Sequence, residues 1–403
     1  MYNKVNTPCR KEAVPLEVCG IIAEFDPFHK GHQHLISEAR RLSGCEYVVC
    51  VLSTSFLQRG TPGLFSTRDR TRMALAGGAD AVFALPVSFS CAPADRFALG
   101  GTALLRAMGT VTSQAFGCEN AADSEQLRRA AVFLNEEPSA FRTALHEALD
   151  TGISYPAAQA RALRISCGIP EALLSAPNNI LAVAYLRQLA RSDAAIRPVA
   201  VHRIGSRTNP EADGYLPSSA VRRMILEGQA EKAAGSVPAS SMEIIAECLE
   251  ARRFCPPEAL TQALFYRLNT SIPTDWAPFL THGEGLEQRL QKVLEQHPES
   301  IEALLSGLKT KRYTHAALRR WLSRILLDLP TDSPAEPACL RLLGFRQSAR
   351  PLLRAIREQA SLPVVTKPAD GRKYLEADAR AEMVWSLGAG RPAALYEQSP
   401  VIL

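Results

Sequence analysis

Hydrophobic and polar positions follow two different patterns along this chain. From residue 17 to about residue 204, short apolar runs alternate with stretches of helical periodicity; the runs are VCGIIAEF (18–25), YVVCVLS (47–53), ADAVFALP (79–86), VTSQAFGC (111–118) and IRPVAVHRI (196–204). Each is rich in Val, Ile, Ala or Phe and bounded by turn residues, as parallel strands covered on both faces are. Between the first two, His34, Leu35, Ala39 and Leu42 recur near helical spacing and Gly44 follows as a stop, which makes a βαβ unit. Repetition of this alternation predicts an α/β fold built on a Rossmann-like parallel sheet, with ligands at the carboxyl ends of the strands.

The pattern then changes. SAVRRMILEGQAEKAA (219–234) reads as one more helix, and GSVPASS (235–241) as a linker. Beyond it, residues 242–253, 257–268, 284–304, 314–328, 336–343 and 350–360 carry helical periodicity with Pro or Gly between them. The division expected is an α/β domain over residues 1–236 followed by a mostly α-helical domain over 237–403. No fixed-period repeat or low-complexity tract interrupts either part.

Composition adds limits. The 403 residues suffice for two or three domains with ample cores, and 46% apolar with 22% charged residues excludes a disordered chain or a fibre. A net charge of +5 is too small by itself to imply a polyanionic partner, so the distribution of charge matters more than the total. The ten cysteines form no C-x-x-C pair and sit mostly in apolar runs, which points to a reducing compartment. No window approaches ~18 uninterrupted apolar residues. The expectation is a cytoplasmic protein with no membrane partner.

The candidate chemistry is concentrated where the first strand ends. AEFDPFHKGHQHLI (23–36) packs Glu24, Asp26, His29, Lys30, Gly31, His32 and His34 into one strand-to-helix turn. His29 and His32, at i and i+3 around Gly31, both face the positive end of the helix, where a polyphosphate is the natural occupant. Imidazole N–H donors there can follow charge developing on a phosphorus under attack. Zinc held by His29, His32 and His34 is the metal alternative, but the H-E-x-x-H spacing is missing; ordinary core histidines are the other. Neither G-x-G-x-x-G nor G-x-x-x-x-G-K-[ST] occurs, so dinucleotide redox chemistry and a P-loop are unsupported.

His29-Lys30-Gly31-His32 resembles the [HT]-x-G-H signature of the HIGH-motif nucleotidyltransferase superfamily. The longer GIIAEFDPFHKGH resembles the E-Y-N-P-F-H-N-G-H stretch of the tRNA(Met) cytidine acetate ligase family. Segments similar to that family follow in order: FLQRGTP (56–62), RTRMALAGGADAVFALP (70–86), FGCEN (116–120), SYPAA (154–158), PNNIL (177–181), HRIG (202–205) and LKTKRYTHAALRRWL (308–322). The departures are Phe25 for Tyr, Asp26 and Lys30 for the two Asn, and Cys118 for a small polar residue. Asp26 beside a triphosphate calls for compensation by Mg²⁺ or Lys30.

The resemblance implies an enzyme that joins acetate to the exocyclic amine of the wobble cytidine of elongator tRNA(Met), converting ATP to AMP and pyrophosphate; Mg²⁺ is expected with the ATP, no side chain is assigned to a metal, and whether the protein itself contacts the Mg²⁺ stays open. It implies catalytic roles for His29 and His32. Ile22, Ala23, Glu24, Phe25, Asp26, Pro27, Phe28, Lys30, Gly31, Gln33, His34 and Leu35 would form the main ATP-binding turn. Gly117, Asn178, Asn179, Arg203 and Ile204 would close around adenine, ribose and phosphate. PSSAVRR (217–223) resembles the superfamily's I-S-S-T-x-[IV]-R signature except that Pro217 replaces its first Ser, so Ser218, Ser219 and Arg222 are further ATP-binding candidates; plain capping of a helix by the two serines is the other reading.

Gln58, Arg59 and Gly60 follow the second strand and are candidates for the acetate or nucleotide pocket, or for a structural loop. RDRTR (68–72) suits RNA phosphate or neighbouring acids. Residues 301–325 carry Lys309, Lys311, Arg312, Arg319, Arg320 and Arg324 against Glu302, with Tyr313 and Trp321 interleaved, and 341–358 add five arginines. That basic and aromatic composition suits a nucleic-acid backbone and unpaired bases, so Lys309, Lys311, Arg312, Arg319 and Arg320 are the tRNA-binding candidates; Trp321 fits a core equally. Two other functions stay open on the sequence alone: adenylyl transfer to a small metabolite, and RNA binding without catalysis.

Overall fold

The computed structural model describes residues 16–192, 195–204, 215–280, 285–331, 334–391 and 395–403. The Gly205 of HRIG lies outside them. Eight strands, β1 (Val18–Ala23), β2 (Tyr47–Ser53), β3 (Ala81–Leu85), β4 (Ser113–Cys118), β5 (Arg197–His202), β6 (Leu340–Phe345), β7 (Val364–Val365) and β8 (Val401–Ile402), form one sheet. Its order is β5-β4-β1-β2-β3-β6-β7, with β8 also on β6. Every pairing is parallel except β3 with β6. The direction of winding reverses between β1 and β4, so a crevice opens there at the carboxyl ends.

The near-continuous apolar runs are strands because both faces are covered. Along β2, Tyr47, Val49 and Val51 enter one core while Val48, Cys50 and Leu52 enter the other, the two-residue period of a pleated strand. The first core is closed by helices Ala94–Ala107, Ser124–Glu136, Pro177–Arg191 and Arg350–Gln359. The second is closed by α1 (Lys30–Ser43), α2 (Thr67–Ala76) and helices Ser218–Leu226 and Ala239–Glu250. A third core, with Leu264, Trp276, Leu290, Leu305, Trp321 and Ile325, belongs to helices between residues 261 and 327. A fourth, with Phe56, Cys91, Leu260, Leu327 and Trp385, joins that helical module to the sheet.

Several sequence expectations are revised. Residues 336–343 do not form a helix: Leu340–Phe345 is strand β6, buried along most of its length. Its apolar residues fit helix and strand periods equally well, and the uncovered edge of β3 decides for the strand. The 284–304 pattern divides into Leu286–Leu294 and Ile301–Leu308. The helix read over 219–234 ends at Leu226, and Gly228 at φ +71° separates it from a short 3-10 turn at Ala230–Ala233. The 235–241 segment is anchored rather than free. Val237 is buried, and the carbonyl of Ser236 accepts from the Lys30 amide at 2.9 Å. The sheet therefore takes strands from both sides of residue 237.

Candidate active site

The turn after β1 is set by its own aromatic residues. Phe25 takes φ +48°, and the Asp26–Pro27 peptide is cis. Phe25 and Phe28, both fully buried, meet edge to face at 5.0 Å, and Phe25 lies 4.9 Å from the His32 ring. His29 is the N-cap of α1, with Nδ1 accepting from the Gly31 amide at 2.9 Å. Three residues on, His32 Nδ1 accepts from the His29 amide at 3.3 Å. This is a capping box in which two imidazoles replace the usual hydroxyl and carboxylate.

The cap fixes the chemistry of both rings. A neutral imidazole whose Nδ1 accepts a hydrogen bond carries its proton on Nε2. The rings stack at 3.8 Å between centroids and 22° between planes. Burial, followed by the positive charges of Arg203 and Arg222, pulls His29 down to about 3. Burial also lowers His32 well below its usual value, with His29, Arg203 and Arg222 adding to the effect. Near pH 7 the pair is thus two neutral Nε2–H donors in the field of two arginines. A side chain at Gly31 would meet the His29 ring at 2.7 Å, so only glycine lets that ring lie over the first turn.

The other residues of the turn have specific partners. Asp26 is buried; its Oδ1 accepts from the Leu64 amide at 2.8 Å, and its Oδ2 lies 3.5 Å from Nη1 of Arg222. The same nitrogen donates to the Asp26 carbonyl at 2.6 Å. Compensation for Asp26 therefore comes from Arg222, not from Lys30, whose ammonium lies 5.8 Å from the Tyr215 ring centroid. Glu24 accepts from the Gln58 amide through Oε1 at 2.6 Å, and burial raises its carboxyl above the usual range. His34 Nε2 meets the His202 carbonyl at 3.1 Å, which ties α1 to the end of β5. Gln33 is exposed, Leu35 packs at the edge of the second core, and Ile22 and Ala23 are buried at the end of β1.

The β4 side of the crevice is built by Glu119. Its Oε1 accepts from Asn178 Nδ2 at 2.6 Å and lies 3.5 Å from Arg203 Nη1. Asn179 is buried, accepting from the Glu119 amide at 3.0 Å and donating to the Leu173 carbonyl at 2.9 Å. A Cβ at Gly117 would meet nothing within 4 Å, so space opens beside the end of β4. The Ile204 carbonyl lies 3.7 Å from where a Cβ of Gly31 would be. Helix Ser218–Leu226 has Pro217 as N-cap and no side-chain cap bond. Ser218 and Ser219 thus do not cap the helix as the sequence suggested.

Sequence reading missed the organiser of this region, Arg70. Its guanidinium is fully buried and donates to the carbonyls of Glu24 at 2.8 Å, Ser53 at 2.9 Å, Thr54 at 2.5 Å and Phe65 at 3.1 Å. It binds together the carboxyl ends of β1 and β2. In the RDRTR run the arginines have partners within the protein: Arg72 pairs with Glu247 at 2.8 Å and Arg68 donates to the Ser399 carbonyl. Asp378 and Glu382, from helix Glu376–Gly388, were also missed; they accept from the Thr54 and Ser55 hydroxyls at 3.0 and 2.5 Å. The alternation of sign in Arg68, Asp69 and Arg70 was the available signal.

The basic candidates divide. Lys311 and Arg312 are exposed. Lys309 donates to the Thr310 and Tyr313 carbonyls, Arg319 pairs with Glu302, and Arg320 donates to the Gln58 carbonyl at 3.1 Å. Trp321 is buried in the helical core. Gln58, Arg59 and Gly60 form a docking loop against helix His315–Leu327: Ser323 donates to the Gly60 carbonyl at 2.7 Å, and a Cβ on Gly60 would sit 2.4 Å from the Arg320 nitrogen. Among the described residues no group of three or more His, Cys, Asp or Glu side chains is arranged to hold a metal ion, and no helix is long and apolar enough to cross a membrane.

An imidazole pair capping the first helix beside a β1/β4 switch point defines a nucleotidyl-transferase type of site. A family model described as HIGH Nucleotidyl Transferase matches residues 16–398. The tRNA(Met) cytidine acetate ligase of Acetivibrio thermocellus is 35% identical, covering 88% of this chain and 89% of its own. That of Clostridium kluyveri is 32% identical, covering 92% and 95%. The crystal structure of Thermotoga maritima TmcAL bound with alpha-thio ATP superimposes with a TM-score of 0.88 at 28% identity, over 96% of this chain and all of that one. The chain belongs to the HIGH nucleotidyl transferase family and, within it, to the tRNA(Met) cytidine acetate ligases.

Proposed function

We propose that this protein activates acetate with ATP to give acetyl-adenylate and pyrophosphate, then acetylates N4 of the wobble cytidine of elongator tRNA(Met), releasing AMP. The observation that carries the reading is the neutral His29–His32 pair between Arg203 and Arg222. Acetate attacks the α-phosphorus; the crowded phosphorus and the departing pyrophosphate gain charge that the two Nε2–H donors and the two guanidiniums meet without reorganising. Neutral donors suit this task because they hold their protons across physiological pH. Relatives named for this reaction, and a neighbour bound with alpha-thio ATP, support it.

His29 and His32 are thus the proposed catalytic pair, with Arg203, Arg222 and the open side of Gly117 receiving the nucleotide. Ser218 and Ser219, whose helix start has no side-chain cap, offer backbone N–H groups to phosphate. Mg²⁺ would enter on the ATP phosphates. Lys311 and Arg312, on the exposed side of the helical module, are the proposed tRNA phosphate contacts, and the cytoplasm is the compartment where that tRNA is met. Residues up to 236 carry the adenylation chemistry and the helical module beyond them receives the RNA. The test is incubation with labelled acetate, ATP and total tRNA, followed by nuclease digestion and nucleoside analysis. N4-acetylcytidine should form, and His32→Ala should abolish it; equal product from that variant would refute the roles given to the turn.

A further inference from the structure

Three carboxylates stand at the carboxyl ends of β1 and β4: Glu24, Asp26 and Glu119. Two are spoken for. Asp26 Oδ1 accepts from the Leu64 amide and its Oδ2, which accepts no hydrogen bond, lies 3.5 Å from the Arg222 guanidinium, while Glu119 is paired with Arg203 and hydrogen-bonded by Asn178. Glu24 differs. Its Oε1 accepts from the Gln58 amide, while its Oε2 has no hydrogen-bond partner and no ion-pairing arginine among the described residues. Arg222 and Arg70 act on Glu24 only as more distant charges, and a carboxylate oxygen with no direct partner is available to take a proton in another step.

The position of Glu24 indicates which step. The same Gln58 that donates to Glu24 accepts from Arg320 of the helical module. Glu24 therefore stands where the crevice that takes the nucleotide meets the module that takes the RNA. Resting on the acetate-ligase reading above, we propose that Glu24 is the general base of the second step, taking the proton from cytidine N4 as that nitrogen attacks the acetyl carbonyl. The N4 lone pair forms the C–N bond, the C–O bond to the adenylate phosphate breaks with its electron pair leaving on AMP, and the N4 proton passes to Oε2 of Glu24, which releases it to solvent. Burial strengthens this carboxylate as a base.

The test separates the two half-reactions. Glu24→Gln keeps an acceptor for the Gln58 amide and removes only the basic oxygen. Single-turnover acetyl transfer to tRNA should fall by about 10²-fold, while acetate-dependent ATP–pyrophosphate exchange should fall by less than about tenfold. The acid limb of the transfer rate should be present in the unmodified protein and absent in the variant. The charged and titratable groups facing Glu24 are Arg70 on α2, Arg222 on helix Ser218–Leu226, Asp26 in the turn, Tyr185 on helix Pro177–Arg191 and Cys91; all stay unchanged in this comparison. Glu24→Asp, which keeps a carboxylate on a shorter arm, should retain at least about fivefold more transfer than Glu24→Gln. Parallel loss of exchange and transfer would overturn the proposal and assign Glu24 to the metal–triphosphate, as would transfer undiminished in Glu24→Gln. Absence of acetate-dependent exchange in the unmodified protein would instead overturn the acetate-ligase reading itself.

Discussion

Replacing Gly60 by Ala tests how the helical module is held to the sheet. Gly60 has φ +78°, and an added Cβ would lie 2.4, 2.6 and 2.7 Å from the Arg320 nitrogen, the Arg319 carbonyl carbon and the Arg320 Cα. All three are backbone atoms, so no side-chain rotation relieves the contact. The left-handed conformation costs an alanine about 1–2 kcal/mol, and overpacking adds about 1–3, for a total of about 2–5 kcal/mol. Gly168→Ala supplies the reference: its φ is +71° and nothing lies within 4 Å, so only the conformational cost applies. The assay is urea unfolding followed by fluorescence of the three tryptophans, Trp276 and Trp321 in the helical core and Trp385 at its junction with the sheet. Gly60→Ala should be less stable than Gly168→Ala by about 1–3 kcal/mol. Its tRNA-dependent activity should fall more than its affinity for ATP. Equal destabilisation of the two variants would refute the close approach of residues 58–60 to helix His315–Leu327.

The histidine cap makes a prediction in pH. His29 titrates at about 3 in the folded chain, far below an unfolded histidine near 6.5, so between these values the unfolded chain binds the extra proton. Stability should therefore fall as pH drops from about 6.5 toward 3, and His29→Asn, which keeps an N-cap acceptor, should make that fall shallower. Parallel stability curves for the two proteins would count against the buried neutral ring. On the helical module, the double substitution Lys311→Ala and Arg312→Ala should reduce the slope of log binding constant against log salt for tRNA by about 1.5–2 and leave the unfolding midpoint nearly unchanged, as filter binding at several salt concentrations would read. An unchanged slope would remove these two residues from the RNA surface.

The parallel sheet was legible because strands buried on both faces need continuous apolar runs, and all five runs named from the sequence contain a strand. The chemical turn was legible for a related reason: three histidines and a glycine within six residues at a strand end are hard to explain as core. The strand Leu340–Phe345 was not, because its partner β3 lies far away in sequence and no local period separates a short buried strand from a helix. Arg70 and Arg320 misled in the same way. A sequence shows that a guanidinium is present, but not that carbonyls such as those of Ser53, Thr54 and Gln58 already occupy it. The basic composition of residues 301–325 overstated the number of cations facing outward, since Lys309, Arg319 and Arg320 meet partners within the protein. Trp321 is the aromatic counterpart, since one helical turn decides between a stacking ring and a core one.

The antiparallel pairing of β6 with β3 also has a consequence for how the chain is made. During synthesis the edge of β3 emerges from the ribosome long before its partner, and the whole helical module must be translated in between. Until then a row of unpaired backbone groups stays open to solvent and to other nascent chains. Shortened versions that stop at the end of the helices would carry this raw edge permanently, so a soluble fragment is better sought by excising the helical module from the middle than by trimming the chain from its far end.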